Sequence, residues 1–272
     1  MKKKLLLLYL LAASGLGVMA QQGFDIGVSG TFGASYILKQ NNYGTLDPFT
    51  NAVVRESELA YKITWGGNGG VCLGYNITKH WGVQAEIQYD VAGQNYEDNF
   101  TGPAVIKNDT LGSARIRVNV QRTVKLNYIQ IPLMAKYTVG KDKYKFFACL
   151  GPQFGFRTYA YQQVKIDGNV YVPDSLNFTN AQRFQTFDVG IAVQAGGQFY
   201  ATKHLYFDVA LSAYQGIFDI NGAVLRNLGW YDKNHVSYQK SYNFRGGIMV
   251  GIHYVFFHEK GGELKLTTPD NK

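Results

Sequence analysis

The residues able to do chemistry are few and scattered. Five histidines stand at His80, His204, His235, His253 and His258. A lipid-modifying enzyme at a membrane surface needs a Ser nucleophile or a His–acid pair. His235 lies near Asp232 and Ser237, but that spacing sets up no nucleophile. His80 and His204 fall in short turns, and His253 points inward near the end of the last strand. Cys72 and Cys149 are 77 residues apart with no His pair beside either, so metal-ligand spacing is absent. No cofactor and no catalytic residue is assigned. What remains is a set of charges at the polar phase of alternating segments: Glu86, Asp90, Lys136, Asp188, Asp208 and Arg245.

The elements that position those charges are strands. From Phe24 to Tyr36 the even positions are apolar or small and the odd ones polar or small. This is a strand with different surroundings on its two faces. The same period of two recurs seven times, which predicts eight strands at about 24–37, 69–77, 81–95, 124–139, 143–157, 184–200, 204–217 and 241–257. Leu59, Tyr61, Ile63 and Trp65 share the phase of Val71, so the second strand can start earlier. Most of these exceed the roughly 9–11 residues with which a tilted strand crosses a bilayer.

Composition narrows the class. The chain has 272 residues, 17% charged and 15% aromatic. That is too aromatic and too poor in charge for disorder. No apolar run after the first 20 residues approaches a membrane helix. Lys2, Lys3 and Lys4, the apolar stretch from Leu5 and the Val18-Met19-Ala20 ending read as a cleaved signal peptide over 1–20. The mature excess of positive charge is mild and specifies no nucleic acid. The rest divides into a barrel domain, 21–257, and a short polar tail, 258–272.

The connections alternate strictly. Thr78-Lys79-His80, Gly140-Lys141-Asp142 and Ala201-Thr202-Lys203 are short turns; about 38–68, 96–123, 158–183 and 218–240 are long. An up-and-down barrel then has all short turns and both termini at one end, as outer-membrane barrels do at their periplasmic side. Trp81, Tyr137, Tyr144, Phe199 and Phe256 lie on apolar faces near that end and predict an aromatic girdle. A secreted lipocalin-like barrel would show the same alternation with the faces exchanged. The scarcity of charge on the polar face and the level of the rings favour the membrane version.

Eight strands leave an interior that side chains can fill. Register from the short turns predicts two ionic clusters inside, Glu86 with Lys136, and Asp188 with Arg245 beside the strand of Tyr206 and Tyr214. Cys72 and Cys149 fall on the inward phase of distant strands and are expected as free thiols. Pro132 predicts a bulge or kink. Lys165 to Tyr171 reads as a hairpin with an Asp-Gly turn, extending the strands around the third loop. Arg115, Arg117 and Arg122 form a basic stretch suited to anionic lipopolysaccharide, with solvated surface as the alternative.

Leu126-Asn127-Tyr128-Ile129-Gln130-Ile131-Pro132-Leu133-Met134-Ala135-Lys136-Tyr137 resembles the "YxxIPLxxKY" strand of the PorT-like outer-membrane barrels of Bacteroidetes. Trp81 to Tyr89, Cys149 to Gly155 and Asp188-Val189-Gly190 with Gly196-Gly197 are similar to further strands of that family, in order. The resemblance implies an eight-stranded outer-membrane barrel and no single activity. PorT itself is associated with type IX secretion. The expectation is therefore a non-enzymatic envelope barrel acting through its loops or inside an envelope or secretion complex, in contact with outer-membrane lipid and lipopolysaccharide. A small channel for solutes or hydrophobic compounds is the alternative, and a lipid-modifying enzyme the third reading.

Overall fold

The computed structural model describes residues 23–39, 60–103, 115–141, 143–166, 168–171, 180–202, 204–226 and 240–256. The segment expected as a signal peptide, the expected polar tail, His235 and His258 lie outside these. Ten strands and two one-turn helices follow in order: β1 (Gly23–Leu38), β2 (Ala60–Lys62), β3 (Thr64–Asn76), β4 (Trp81–Pro103), β5 (Arg115–Lys141), β6 (Tyr144–Ile166), β7 (Asn169–Tyr171), α1 (Asn180–Arg183), β8 (Phe187–Tyr200), β9 (Leu205–Gly216), α2 (Ala223–Arg226) and β10 (Tyr242–Phe256).

Eight of the strands close on themselves. Antiparallel pairing runs β4-β3-β1-β10-β9-β8-β6-β5, and β5 returns to β4. Each strand therefore has a partner on both sides, and the sheet has no edge within the ring. Of the other two, β2 continues the line of β3 along β4, and β7 folds back on the tip of β6. The turn before β7 carries Gly168 with φ +82°, a conformation glycine adopts without strain. β7 extends β6 only; β8 begins afresh at Phe187.

The alternation resolves into an inverted barrel. In β1, Phe24, Ile26 and Val28 point outward while Asp25, Gly27 and Ser29 are buried. Around the wall, Phe32, Trp65, Ile87, Val209, Leu211 and Ile248 are all more than half exposed. A water-soluble barrel would bury these faces; here the polar faces are buried instead. Such a belt greatly exceeds the apolar patches that soluble monomers expose, and it matches the outer surface of a membrane barrel.

The short-turn end is built twice from the same tripeptide. Thr78 with His80, and Thr202 with His204, hold matching contacts. The Thr hydroxyl oxygen accepts from the backbone N–H two and three residues on, at 3.2 and 2.9 Å in the first and 3.2 and 3.0 Å in the second. Each His ring then meets a backbone carbonyl of the neighbouring strand through Nδ1, Thr138 O at 2.9 Å and Val255 O at 3.2 Å. A carbonyl only accepts, so Nδ1 carries the proton in both rings. Each turn is thereby tied to the next strand.

Rings gather at this end: Trp81 on Tyr137 at 4.8 Å, Tyr144 on Phe199 at 5.4 Å and Phe24 on Phe256 at 6.0 Å. Pro132 makes no bulge. The β4–β5 register is the same on either side of it, Ala85 opposite Leu133 and Gln88 opposite Gln130, so the missing N–H costs ladder bonds without shifting the strand. The bulge lies higher, where the β5–β6 register slips between Asn127 and Tyr128. It turns the outward phase of β6 from even residues (Phe154, Phe156) to odd ones (Tyr159, Tyr161).

A cation placed on the apolar belt should be costly. Leu211→Arg is expected to lower unfolding free energy by about 2–4 kcal/mol in vesicles, as charge near the bilayer midplane does in such barrels. Urea titration of the refolded protein checks this.

Candidate functional site

The site with chemical content is the lumen, which is filled in layers. Nearest the short turns, β1, β9 and β10 bring Asp25, Asp208 and His253 together. His253 Nδ1 lies 3.1 Å from Asp25 Oδ1, and Nε2 lies 3.0 Å from Asp208 Oδ2. The Tyr206 ring stacks on the imidazole at 4.5 Å, and its hydroxyl donates to Asp25 Oδ1 at 3.0 Å. Lys136 Nζ donates to the same hydroxyl at 3.4 Å. All five side chains are buried.

Glycines make room for this group. A Cβ on Gly27 would stand 2.5 Å from His253 Nδ1, and one on Gly251 would stand 2.2 Å from Asp208 Oδ1. A Cβ on Gly74 would stand 2.4 Å from Asp25 Oδ2. The bare inward positions on β1, β3 and β10 are therefore required by the size of the imidazole and the two carboxylates.

The middle layer is Glu86 held by amides. Gln84 donates to it at 2.6 Å, Gln194 at 3.2 Å, and Gln88 and Ser29 also reach it. Lys136 forms no ion pair with Glu86; its ammonium stands 5.5 Å from the Phe147 and Tyr206 ring centres. The predicted Glu86–Lys136 cluster is thus two layers. Register placed both residues on adjacent strands, but the direction each side chain takes across the lumen is set by its partners on the far wall. Met134, Cys149, Ala192, Ala210 and Met249 add an apolar cluster here, with Phe147. Cys72 and Cys149 are buried free thiols.

The upper layer pairs Arg245 with Asp90, and Arg245 also donates to Gln130. Gln130 in turn donates to Asp90 at 3.4 Å and accepts from Gln153. Arg245 was expected on Asp188. Instead its guanidinium lies 4.8 Å over the Tyr214 ring, and the Tyr214 hydroxyl donates to Asp188 at 3.0 Å. Asn243 donates to Asp188 at 2.7 Å and to Tyr128 at 3.1 Å. Tyr214 therefore stands between the two predicted partners. The space left beside Arg245 and Asp90 is about 30 Å³, room for a water or two.

Above it apolar side chains enter the inward face, among buried polar ones such as Gln94, Asn221 and Ser241. Ala92, Val124, Leu126, Ile37, Phe184 and Ile220 are buried at the long-loop end. Arg157 ties this cap down, donating to Gln185 O at 2.9 Å and Ala181 O at 2.8 Å. Arg122, read from sequence as a lipopolysaccharide contact, is buried in this region against Tyr96 at 5.2 Å and donates to Gln162 at 2.9 Å. It occupies the inward phase of β5, along with Val124 and Leu126. Arg115 and Arg117 are in β5, and their side chains lie outside the described residues.

The family model for an outer membrane protein beta-barrel domain matches residues 19–222. The chain belongs to this family. No curated protein matches it. Among solved structures it is similar to Neisserial surface protein A, at 11% identity and TM-score 0.42, over 88% of this chain and all of that one. It is also similar to OprG of Pseudomonas aeruginosa, at 12% and 0.35, over 88% and 97%. A third is Ail of Yersinia pestis, at 12% and 0.32, over 85% and 98%. None of these similarities assigns an activity to this barrel.

Sequence reading missed the best-defined cluster in this family member, Asp25–His253–Asp208. His253 was placed inward, and the glycines beside it, Gly27 opposite on β1 and Gly251 two residues before it on β10, were the available signal. Removing its imidazole leaves two buried carboxylates facing a void. His253→Ala is expected to lose about 3–5 kcal/mol of unfolding free energy, the usual cost of orphaning a buried ionic partner. Adding Asp25→Asn and Asp208→Asn should restore most of it, measured by denaturant titration in micelles.

Proposed function

We propose that this outer-membrane barrel is closed to solutes and works as a structural or interaction component of the envelope through its long-loop end. The short turns and both ends of the barrel sequence face the periplasm in this reading, with the girdle of Trp81, Tyr137, Tyr144, Phe199 and Phe256 at that interface. The observation that carries it is the filled lumen. Three polar layers cross the bore, joined between distant strands by Lys136 with Tyr206, Gln194 with Glu86 and Arg245 with Asp90, and a buried cap sits above them. A solute would have to displace hydrogen-bonded side chains at each of these levels.

The same burial argues against catalysis. Asp25, His253 and Asp208 have the chemical types of an acid–base relay, yet each is at most 2% exposed and sealed from any substrate. The link to secretion and to the PorT-like group rests on the resemblance of the β4–β6 and β8 segments alone.

Refolded mature protein in planar bilayers should give no stable current steps. Reproducible steps from protein verified as folded would favour the alternative, a small channel.

A further inference from the structure

The wall of the barrel continues where the apolar belt ends. From Trp81, opposite Tyr137, to Val91, opposite Asn127, β4 advances ten residues. At about 3.3 Å per residue and a tilt of about 40°, this is roughly 25 Å along the barrel axis, the height of an outer-membrane apolar band. Tyr89, Ile129 and Phe156 are the last exposed apolar residues of these three strands below that level. The next outward positions stand where lipid headgroups begin.

Those positions have a consistent chemistry. Lys125 is exposed and lies opposite Tyr161 in the β5–β6 register. Tyr161 stacks with Tyr159 at 6.5 Å, and the bulge in β6 is what turns both outward. Asn127 donates to the Tyr89 hydroxyl at 2.8 Å. Lys165 follows two outward steps higher, past Thr123 and Gln163, opposite Gln121. The acidic residue on this face, Glu97, is occupied by Lys62 at 3.2 Å. Among the described residues, neither Lys125 nor Lys165 has a carboxylate within ion-pair distance.

We propose that this face binds the phosphorylated sugar headgroup of an outer-leaflet glycolipid, lipopolysaccharide in chemical class. Two ammoniums without acidic partners among the described residues meet phosphates. Tyrosine faces take the apolar side of a sugar ring, and the phenol and amide groups meet its hydroxyls. The acyl chains of the same molecule lie on the belt directly below, which a free phosphate would not use. The assignment rests on the long-loop end facing the outer leaflet, and it replaces the buried Arg122 with residues of the opposite phase.

The test uses the refolded full barrel in detergent micelles, titrated with purified lipopolysaccharide and with the same material after dephosphorylation. The phosphorylated form should bind about tenfold tighter or more, as two cations near an anionic surface provide. The double variant Lys125→Gln/Lys165→Gln, both on the surface, should abolish that difference, while Lys79→Gln at the opposite end preserves it. Equal binding of the two forms, or an unchanged difference in the double variant, overturns the proposal. Competition by inorganic phosphate overturns the lipid assignment. Bilayer currents speak to the closed-lumen reading alone, so the two can fail separately.

Discussion

A backbone N–H or C=O facing hydrocarbon has no water to pair with, and each one left open costs several kcal/mol. Closure of the eight-stranded ring is the consequence, and the rest of the molecule follows from it. Because β5 returns to β4, the wall can be apolar outside without exposing a polar edge. Closure also fixes the bore. Eight strands leave space that only side chains can occupy, so inward residues are forced to meet each other. The duplicated Thr-Lys-His turns serve the same constraint at the short-turn end, where each His takes a carbonyl of the adjacent strand.

The lumen shows how charge is kept in a narrow polar core. Asp25 and Asp208 share one imidazole, Glu86 is held by three glutamines and a serine, and Asp90 takes Arg245. Burying ions in this way is costly unless each has partners. Small residues make it feasible: Gly27, Gly74 and Gly251 leave the volume the His253 group fills. In the proposed function, the filled bore moves the working surface of the protein outward, to the strands that rise beyond the belt.

Much of this was legible in the chain. Period two gave the eight barrel strands and the direction of nearly every side chain, because one residue of slip would put Phe, Ile and Val into the bore. Strand ends at the short turns were read to within a few residues. Their other ends were not: β4, β5 and β6 run on to Pro103, from Arg115 and to Ile166. Beyond the belt the outward residues become polar, so the contrast that marks a strand disappears while the hydrogen bonding continues. Partners across the lumen were illegible for a different reason. Register relates neighbours on one wall and does set Tyr214 between Arg245 and Asp188, whereas Arg245 on Asp90, or Tyr206 beneath Lys136, depends on which far-wall side chain fills the gap. Arg122 was misplaced because a basic cluster was read as one surface, although strand phase separates 122 from 115 and 117.

The central claim is that the apolar face meets lipid and the polar face meets the bore. It is tested most directly by nitroxide scanning of β1 in vesicles, with Cys72 and Cys149 replaced by Ala. Labels at 26, 28 and 32 should collide readily with dissolved oxygen and little with a water-soluble nickel chelate, and labels at 29 and 31 should be shielded from lipid. The opposite phase, with 29 and 31 in contact with the surroundings and 26, 28 and 32 shielded, would contradict the account.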